Sequence, residues 1–82
     1  MQVLTDQQIF GGKGTRKQCL FKAEPNSGEV ILKNISSDGT YVEVKRFDSA
    51  STPAELKVLY YDFAGDYFQV ELTVDATASI SE

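Results

Sequence analysis

Apolar and polar residues alternate through most of the chain between residues 16 and 75, and the alternation restarts after each tight turn. Cys19, Phe21 and Ala23 share one face of the first regular segment, while Lys22 lies on the other. A period of two residues is typical of a β-strand with one buried face. The pattern therefore predicts an all-β domain, an antiparallel β-sandwich or small barrel of five to seven short strands joined mainly by hairpins.

The first predicted hairpin turns at residues 25–28, where a proline presets φ and a glycine permits a positive φ. Closing the hairpin there pairs Phe21 with Leu32 and keeps both apolar side chains on one face. We expect these two strands to be neighbours in the same sheet.

The second predicted hairpin turns at residues 37–39, with glycine at the last position of a three-residue loop. Closing it sets Leu32 opposite Val44 on the core face. The same register sets Lys33 opposite Glu43 on the other face, where opposite charges pair favourably. A slip by one residue would mix the two faces.

The third predicted hairpin joins residues 55–63 to residues 66–75 through a short loop that contains a glycine. A loop of three residues pairs Val58 with Leu72 and Tyr60 with Val70, so the core face stays apolar. The small and polar stretch 48–54 that precedes this hairpin predicts a loop that crosses between sheets.

Five of the nine aromatic residues lie between Tyr60 and Phe68, and in this register they cannot all face the core. The opposite face of the third hairpin is then apolar as well, although a small antiparallel domain usually leaves one face to water. Tyrosines beside carboxylates suit a protein interface, because the ring packs while the hydroxyl stays hydrated. The residues predicted to form this interface are Leu59, Tyr61, Phe63, Tyr67 and Tyr41.

The segment 11–16 is rich in glycine and carries basic residues, as phosphate-binding loops do. Its spacing differs from that of a Walker A loop, because Lys13 precedes Gly14 and a strand pattern follows. A surface glycine loop is therefore the main interpretation. The alternative is that Lys13, Arg16 and Lys17 contact an anion or an acidic partner.

Composition limits the classes of function. The chain has 82 residues, which predicts one globular domain spanning residues 1–82. Its net charge of −4 disfavours nucleic-acid binding. There is no histidine, and the single cysteine, Cys19, lies on the predicted core face. We expect no catalytic residues, no metal and no cofactor. No apolar stretch is long enough for a membrane span, and one cysteine allows no internal disulfide, so we expect a soluble intracellular or virion protein.

These observations favour a non-enzymatic structural or interaction subunit that docks on a larger protein assembly, as a homo-oligomer or with other proteins. A phage virion accessory protein, which decorates a capsid or belongs to a tail, is the specific form of this hypothesis. The alternative is a small barrel that binds single-stranded nucleic acid or a ligand, with its tyrosines as a stacking platform. Against it, residues 58–82 contain five acidic residues and no basic one.

Overall fold

The computed structural model describes residues 2–12, 19–48, 58–61 and 66–81, and for residues 58–61 it describes the backbone alone. These residues form eight strands and no helix, so the predicted all-β class is confirmed. None of the described segments is a helix that could cross a membrane. The strands are β1 (Gln2–Leu4), β2 (Ile9–Gly11), β3 (Cys19–Glu24), β4 (Glu29–Ile35), β5 (Tyr41–Asp48), β6 (Val58–Tyr61), β7 (Tyr67–Leu72) and β8 (Thr77–Ser81).

The described strands form two four-stranded antiparallel sheets, as a β-sandwich requires. Sheet A has the order β1-β8-β3-β6, and sheet B has the order β2-β7-β4-β5. The number of strands exceeds the predicted five to seven, because β1 and β2 are three-residue strands at the edges of the two sheets. Among the eight described strands, only β4 and β5 are consecutive and also neighbours in a sheet, and each of the other consecutive pairs is divided between the two sheets.

The predicted pairing of the first hairpin is wrong, because β3 and β4 belong to different sheets. Phe21 pairs with Ile80 and Leu59, whereas Leu32 pairs with Val70. The turn at 25–28 carries the chain across the sandwich, so the apolar faces of β3 and β4 lie opposite each other across the core. Both arrangements bury the same side chains, and for that reason the alternation does not distinguish them.

The predicted pairing of the third hairpin is also wrong. Val58 pairs with Lys22 in sheet A, and Leu72 pairs with Val30 in sheet B. The connection between β6 and β7 thus changes sheet, as the connection between β5 and β6 does. The change of sheet between β5 and β6 agrees with the crossing predicted for the stretch 48–54.

The second hairpin has the predicted turn and, in its first half, the predicted register. Lys33 pairs with Glu43 as expected. The register then shifts, so that Leu32 pairs with Lys45 and not with Val44. Val44 is the extra residue of this β-bulge, and its side chain still packs against the core. The bulge therefore keeps an apolar residue on the core face while it bends the edge strand.

Phenylalanine rings cross the core from one sheet to the other. Phe21 of sheet A stacks on Phe10 of sheet B, with ring centroids 6.1 Å apart and an interplanar angle of 8°. Phe21 also contacts Phe47, at a centroid distance of 6.0 Å, and Phe10 contacts Phe68 at 6.1 Å. Cys19 is buried in the same cluster, which confirms its predicted place in the core.

Two turns pack against each other at one end of the sandwich and are held by Asp75. The Oδ1 atom of Asp75 accepts hydrogen bonds from the backbone N–H of Ser27 (3.0 Å) and from its hydroxyl (2.8 Å). Asn26 donates its side-chain amide to the Asp75 carbonyl (2.9 Å). The hydrogen bonds from Ser27 hold the pKa of the Asp75 carboxyl below its ordinary value.

Truncation of the central ring should be costly. We expect Phe21→Ala to lower the free energy of unfolding by about 3–5 kcal/mol, because it leaves a cavity between the two sheets. Urea unfolding at neutral pH measures this loss. Lys22→Ala, at the neighbouring exposed position, is the control and should change stability by about 0.5 kcal/mol at most. A loss below about 1 kcal/mol for Phe21→Ala would contradict the central position of this ring.

The hydrogen bonds to Asp75 should make the stability of the folded protein depend on pH. Because the pKa of Asp75 is lower in the folded protein, its contribution is complete above the unfolded pKa of about 3.9 and is lost as the pH falls through the folded pKa. We therefore expect Asp75→Asn to lower the unfolding temperature at pH 7. The difference from wild type should shrink below about pH 4, as thermal unfolding followed by circular dichroism would show. A difference that does not change with pH would contradict this role.

Candidate functional site

The clearest candidate site is a row of three side chains that runs across the outer face of sheet B near one end. Tyr67 pairs with Ile35, and Ile35 pairs with Tyr41, so the three residues lie on three adjacent strands. Directly opposed residues of antiparallel strands share a face, with Cβ atoms about 4.5–5.5 Å apart. Phe68, next to Tyr67, is buried in the core, which places the row on the opposite face. We call Tyr67, Ile35 and Tyr41 the tyrosine row.

The tyrosine row is open to solvent. Tyr67 is 55% exposed and Tyr41 is 47% exposed, while Ile35 between them is partly buried. Two tyrosines on either side of an aliphatic residue form a continuous apolar strip whose hydroxyl groups can remain hydrated. Such a strip can pack against another protein without leaving polar groups unpaired.

Ion pairs lie on the rest of this face across β4, β5 and β7, whereas Ile9 on the edge strand β2 is 52% exposed. Ile31 points outward between Glu71 and Arg46 on the neighbouring strands, yet it is only 6% exposed. We infer that the aliphatic parts of these long side chains shield it from water. The ion pairs of this cluster are Lys33–Glu71, Arg46–Glu29 (2.9 Å) and Arg46–Glu43 (2.8 Å).

Arg46 is the centre of this ion-pair cluster. Hydrogen bonds to Glu43 and Glu29, together with their charges, raise the pKa of Arg46 above its ordinary value. The guanidinium therefore remains charged and is shared between two carboxylates. Because Lys33 is paired as well, these two cations of the face have carboxylate partners within the chain.

The ring of Tyr67 lies against Gly12, the residue that follows β2. Gly12 has a φ of +80°, and a Cβ atom built on it would overlap the Tyr67 ring. The ring therefore rests on bare backbone that only glycine offers. The N–H of Gly12 donates to the Asp66 carbonyl (2.9 Å), which links this backbone to the residue before β7.

Carboxylates lie near both ends of the tyrosine row. Asp38, in the turn before Tyr41, accepts hydrogen bonds from the Ser36 hydroxyl (2.5 Å) and from the Thr40 N–H (3.0 Å). These bonds lower the pKa of Asp38 to about 2. Asp66, before Tyr67, accepts a hydrogen bond from the Asn34 amide (3.3 Å). The row is therefore bordered by negative charge.

The structure brings together two of the predicted interface residues, Tyr41 and Tyr67, but by a different route from the predicted one. They meet through Ile35 in sheet B. The expected link between Tyr67 and Tyr61 across a hairpin is not formed, because β6 and β7 lie in different sheets.

The other predicted interface residues remain a prediction. Leu59 and Tyr61 pair by their backbone with Phe21 and Cys19, and their side chains lie outside the described structure. Phe63 lies outside it altogether. The pairing from which the faces of these three residues were deduced is absent, so that argument no longer supports their place on an outer face.

The predicted anion contacts Lys13, Arg16 and Lys17 all lie outside the described residues. The described chain stops at Gly12, beside the ring of Tyr67, and resumes at Cys19 in β3. The suggestion that these three residues contact an anion therefore stays a prediction.

The contacts of Ile35 and Gly12 with the two tyrosines were not predicted from the sequence. The register predicted for the second hairpin already implied that Ile35 faces Tyr41, because Lys33 faces Glu43 two residues away. Gly12 gave no such signal, since its contact with Tyr67 depends on how β2 pairs with β7.

Comparisons with protein-family models, with curated proteins and with solved structures found no match to this chain. Among the described residues, no group of three or more histidine, cysteine, aspartate or glutamate side chains is placed to hold a metal ion. The candidate site is therefore defined by its own geometry.

The contact between Gly12 and Tyr67 can be tested against a matched glycine. Gly39 also has a positive φ, of +87°, but nothing lies within 4 Å of the position of its Cβ. Gly39→Ala should cost about 1–2 kcal/mol for backbone strain alone. Gly12→Ala should cost about 1–3 kcal/mol more, because the added methyl group must displace the Tyr67 ring.

Urea unfolding of Gly12→Ala, with and without the Tyr67 ring, separates the cost of backbone strain from the cost of displacing the ring. In a Tyr67→Ala background, the cost of Gly12→Ala should fall to that of Gly39→Ala. Equal costs of Gly12→Ala with and without the Tyr67 ring would show that the ring does not depend on this glycine.

Proposed function

We propose that the protein is a non-enzymatic interaction subunit that docks on a larger protein assembly through the tyrosine row. The observation that supports this proposal most directly is the contrast within one sheet face. Its central rungs are covered by ion pairs, whereas Tyr67 and Tyr41 remain about half exposed around Ile35. Contiguous exposed apolar groups of this kind are typical of interaction sites.

The charges around the row favour a protein partner over a nucleic acid. Asp38 and Asp66 border the row, and the neighbouring cations Lys33 and Arg46 are engaged by carboxylates. The carboxylates among the described residues would repel phosphate groups at this end of the sheet. The two tyrosines could stack bases, so a small single-stranded nucleic-acid or ligand-binding domain is the alternative that the experiments must separate.

The proposal covers two kinds of assembly, one made of copies of this chain and one that contains other proteins. The specific form that we propose is an accessory subunit of a phage virion, on the capsid or the tail. A small domain with one compact docking row suits attachment to the surface of a large particle, where the sandwich itself needs no pocket. A cytoplasmic complex would use the same surface.

Co-sedimentation tests docking. A tagged wild-type chain expressed in its source cells should move with a large particle in a sucrose gradient. The double variant Tyr41→Ser/Tyr67→Ser should stay at the position of the free protein. Interface tyrosines at the centre of a contact each contribute more than about 1 kcal/mol, so the double variant should bind about 30-fold more weakly or worse.

A second double variant provides the matched control. Val3→Ser/Val74→Ser also removes two exposed apolar side chains, but from β1 and from the turn before β8. It should sediment as the wild type does, and both double variants should keep a cooperative unfolding transition. Free wild-type protein in the gradient, or a row variant that still sediments with the particle, would refute docking through the row.

Titration with a labelled single-stranded oligonucleotide at low salt tests the alternative. We expect no change in fluorescence anisotropy for the wild type. Saturable binding that is lost in Tyr41→Ser/Tyr67→Ser would favour the nucleic-acid alternative and would count against the proposed protein interface.

A further inference from the structure

We propose that the first half of β5, Tyr41–Glu43, accepts an extended segment of a partner protein as an added strand, and that this segment is apolar with basic ends. The inference rests on the proposed docking function and names the kind of partner that would dock. Addition of a strand to a sheet edge is a common mode of peptide recognition.

The backbone of this half-strand is open on its outer side. β5 is the last strand of sheet B, and among the described strands only β4 borders it. Ser36 donates its N–H to the Thr40 carbonyl (2.9 Å), which makes this a hydrogen-bonded pair. Such pairs alternate along an antiparallel ladder, so Val42 directs its backbone groups towards β4. Tyr41 and Glu43 therefore direct theirs towards the open edge.

Exposed apolar side chains lie on both faces of the same half-strand. Tyr41 belongs to the tyrosine row on the outer face. Val42 pairs with Asn34, whose other neighbour is the buried Phe68, so Val42 lies on the inner face, and it is 54% exposed. A helix or a flat surface laid on the outer face would cover Tyr41 alone. A strand added to the edge would cover both residues, because its own side chains alternate between the faces.

The second half of β5 limits the length of the added strand. The bulge at Val44 interrupts the regular edge immediately after Glu43. Beyond it, Arg46 is held by Glu29 and Glu43. Bulges and charged side chains are the usual means by which an edge strand avoids pairing. The open stretch is therefore about three residues long and continues the tyrosine row at its Tyr41 end.

Charge favours a basic segment over a second copy of this chain. Asp38 lies next to the open stretch and keeps its negative charge. Beyond it Arg46 is shared by two carboxylates, and Lys45 lies past the bulge, opposite the core residue Leu32. A second copy would carry the same net charge of −4 and would be repelled as a whole. Lysine or arginine residues at the ends of an apolar segment would instead be attracted.

A designed peptide tests strand addition directly. The probe has five alternating valines and tyrosines, two lysines at each end and a fluorescent label. It should raise the fluorescence anisotropy on binding to the wild-type protein. A peptide with glutamates in place of the lysines should bind at least tenfold more weakly at low salt. Equal binding of the two peptides, or no binding of the lysine peptide at 1 mM protein, would overturn the proposal.

Position 43 offers a matched pair of variants. Glu43→Gln keeps the outward N–H, whereas Glu43→Pro removes it without breaking a bond to β4. Both lose the charge that pairs with Arg46. Because the two variants have the same charge, we expect Glu43→Pro to bind the lysine peptide at least tenfold more weakly than Glu43→Gln does. Equal affinities would overturn the proposal, provided that both variants unfold cooperatively.

Amide hydrogen exchange locates the bound peptide. The peptide should slow the exchange of the Tyr41 and Glu43 amides in the wild type and leave the Val42 amide, already bonded to β4, nearly unchanged. Binding that protects neither Tyr41 nor Glu43 would place the peptide elsewhere and would refute strand addition.

Co-sedimentation of the same variants separates this inference from the docking function. If Tyr41→Ser/Tyr67→Ser leaves the particle while Glu43→Pro stays on it, docking holds and strand addition is wrong. If the wild type binds the peptide but joins no particle, strand addition holds and the assembly function is wrong. A wild-type dimer that only Glu43→Pro dissociates, seen by light scattering, would identify a second copy as the occupant and overturn the basic partner.

Discussion

The two sheets share no ladder of hydrogen bonds in the described part of the chain, so the fold depends on the packing of Phe21 against rings from the opposite sheet. Phe10 and Phe47, its two partners, belong to β2 and β5, which are the outermost strands of sheet B. The ring of Phe21 in sheet A therefore packs against both edge strands of sheet B. Those edges carry the glycine under Tyr67 and the start of the Tyr41 segment, so the candidate site depends on contacts made in the core.

The alternation of residues was enough to predict the class of fold and part of the core, including Cys19 and Phe21. It was not enough to predict the sheets, because a turn within one sheet and a turn across the sandwich bury the same alternate residues. Phe21 and Leu32 are both buried as expected, yet they face each other from different sheets. Only the hairpin between β4 and β5 has the predicted neighbours, and its bulge at Val44 adds a residue that no period of two can reveal.

The candidate site was predictable in its residue types more than in its geometry. Tyr41 and Tyr67 are exposed tyrosines, as the sequence indicated, but they lie 26 positions apart in the chain and become neighbours only through β4. The surplus of aromatic residues after Tyr60 was assigned to one face by a pairing that the molecule does not form. Long-range strand order, which depends on how all the apolar faces pack together, decided both outcomes.

The position of β8 has a consequence for the making of the protein. This strand is the last in chain order, yet it lies between β1 and β3 in sheet A, where Ser79 pairs with both Val3 and Lys22. During translation, β1 and one side of β3 must wait for residues 77–81 to leave the ribosome. The nascent chain cannot complete sheet A earlier, and without sheet A the ring of Phe21 has no fixed place against sheet B. Sheet A is therefore completed only after β8 has been synthesised, and until then the apolar edges of β1 and β3 are unpaired on that side.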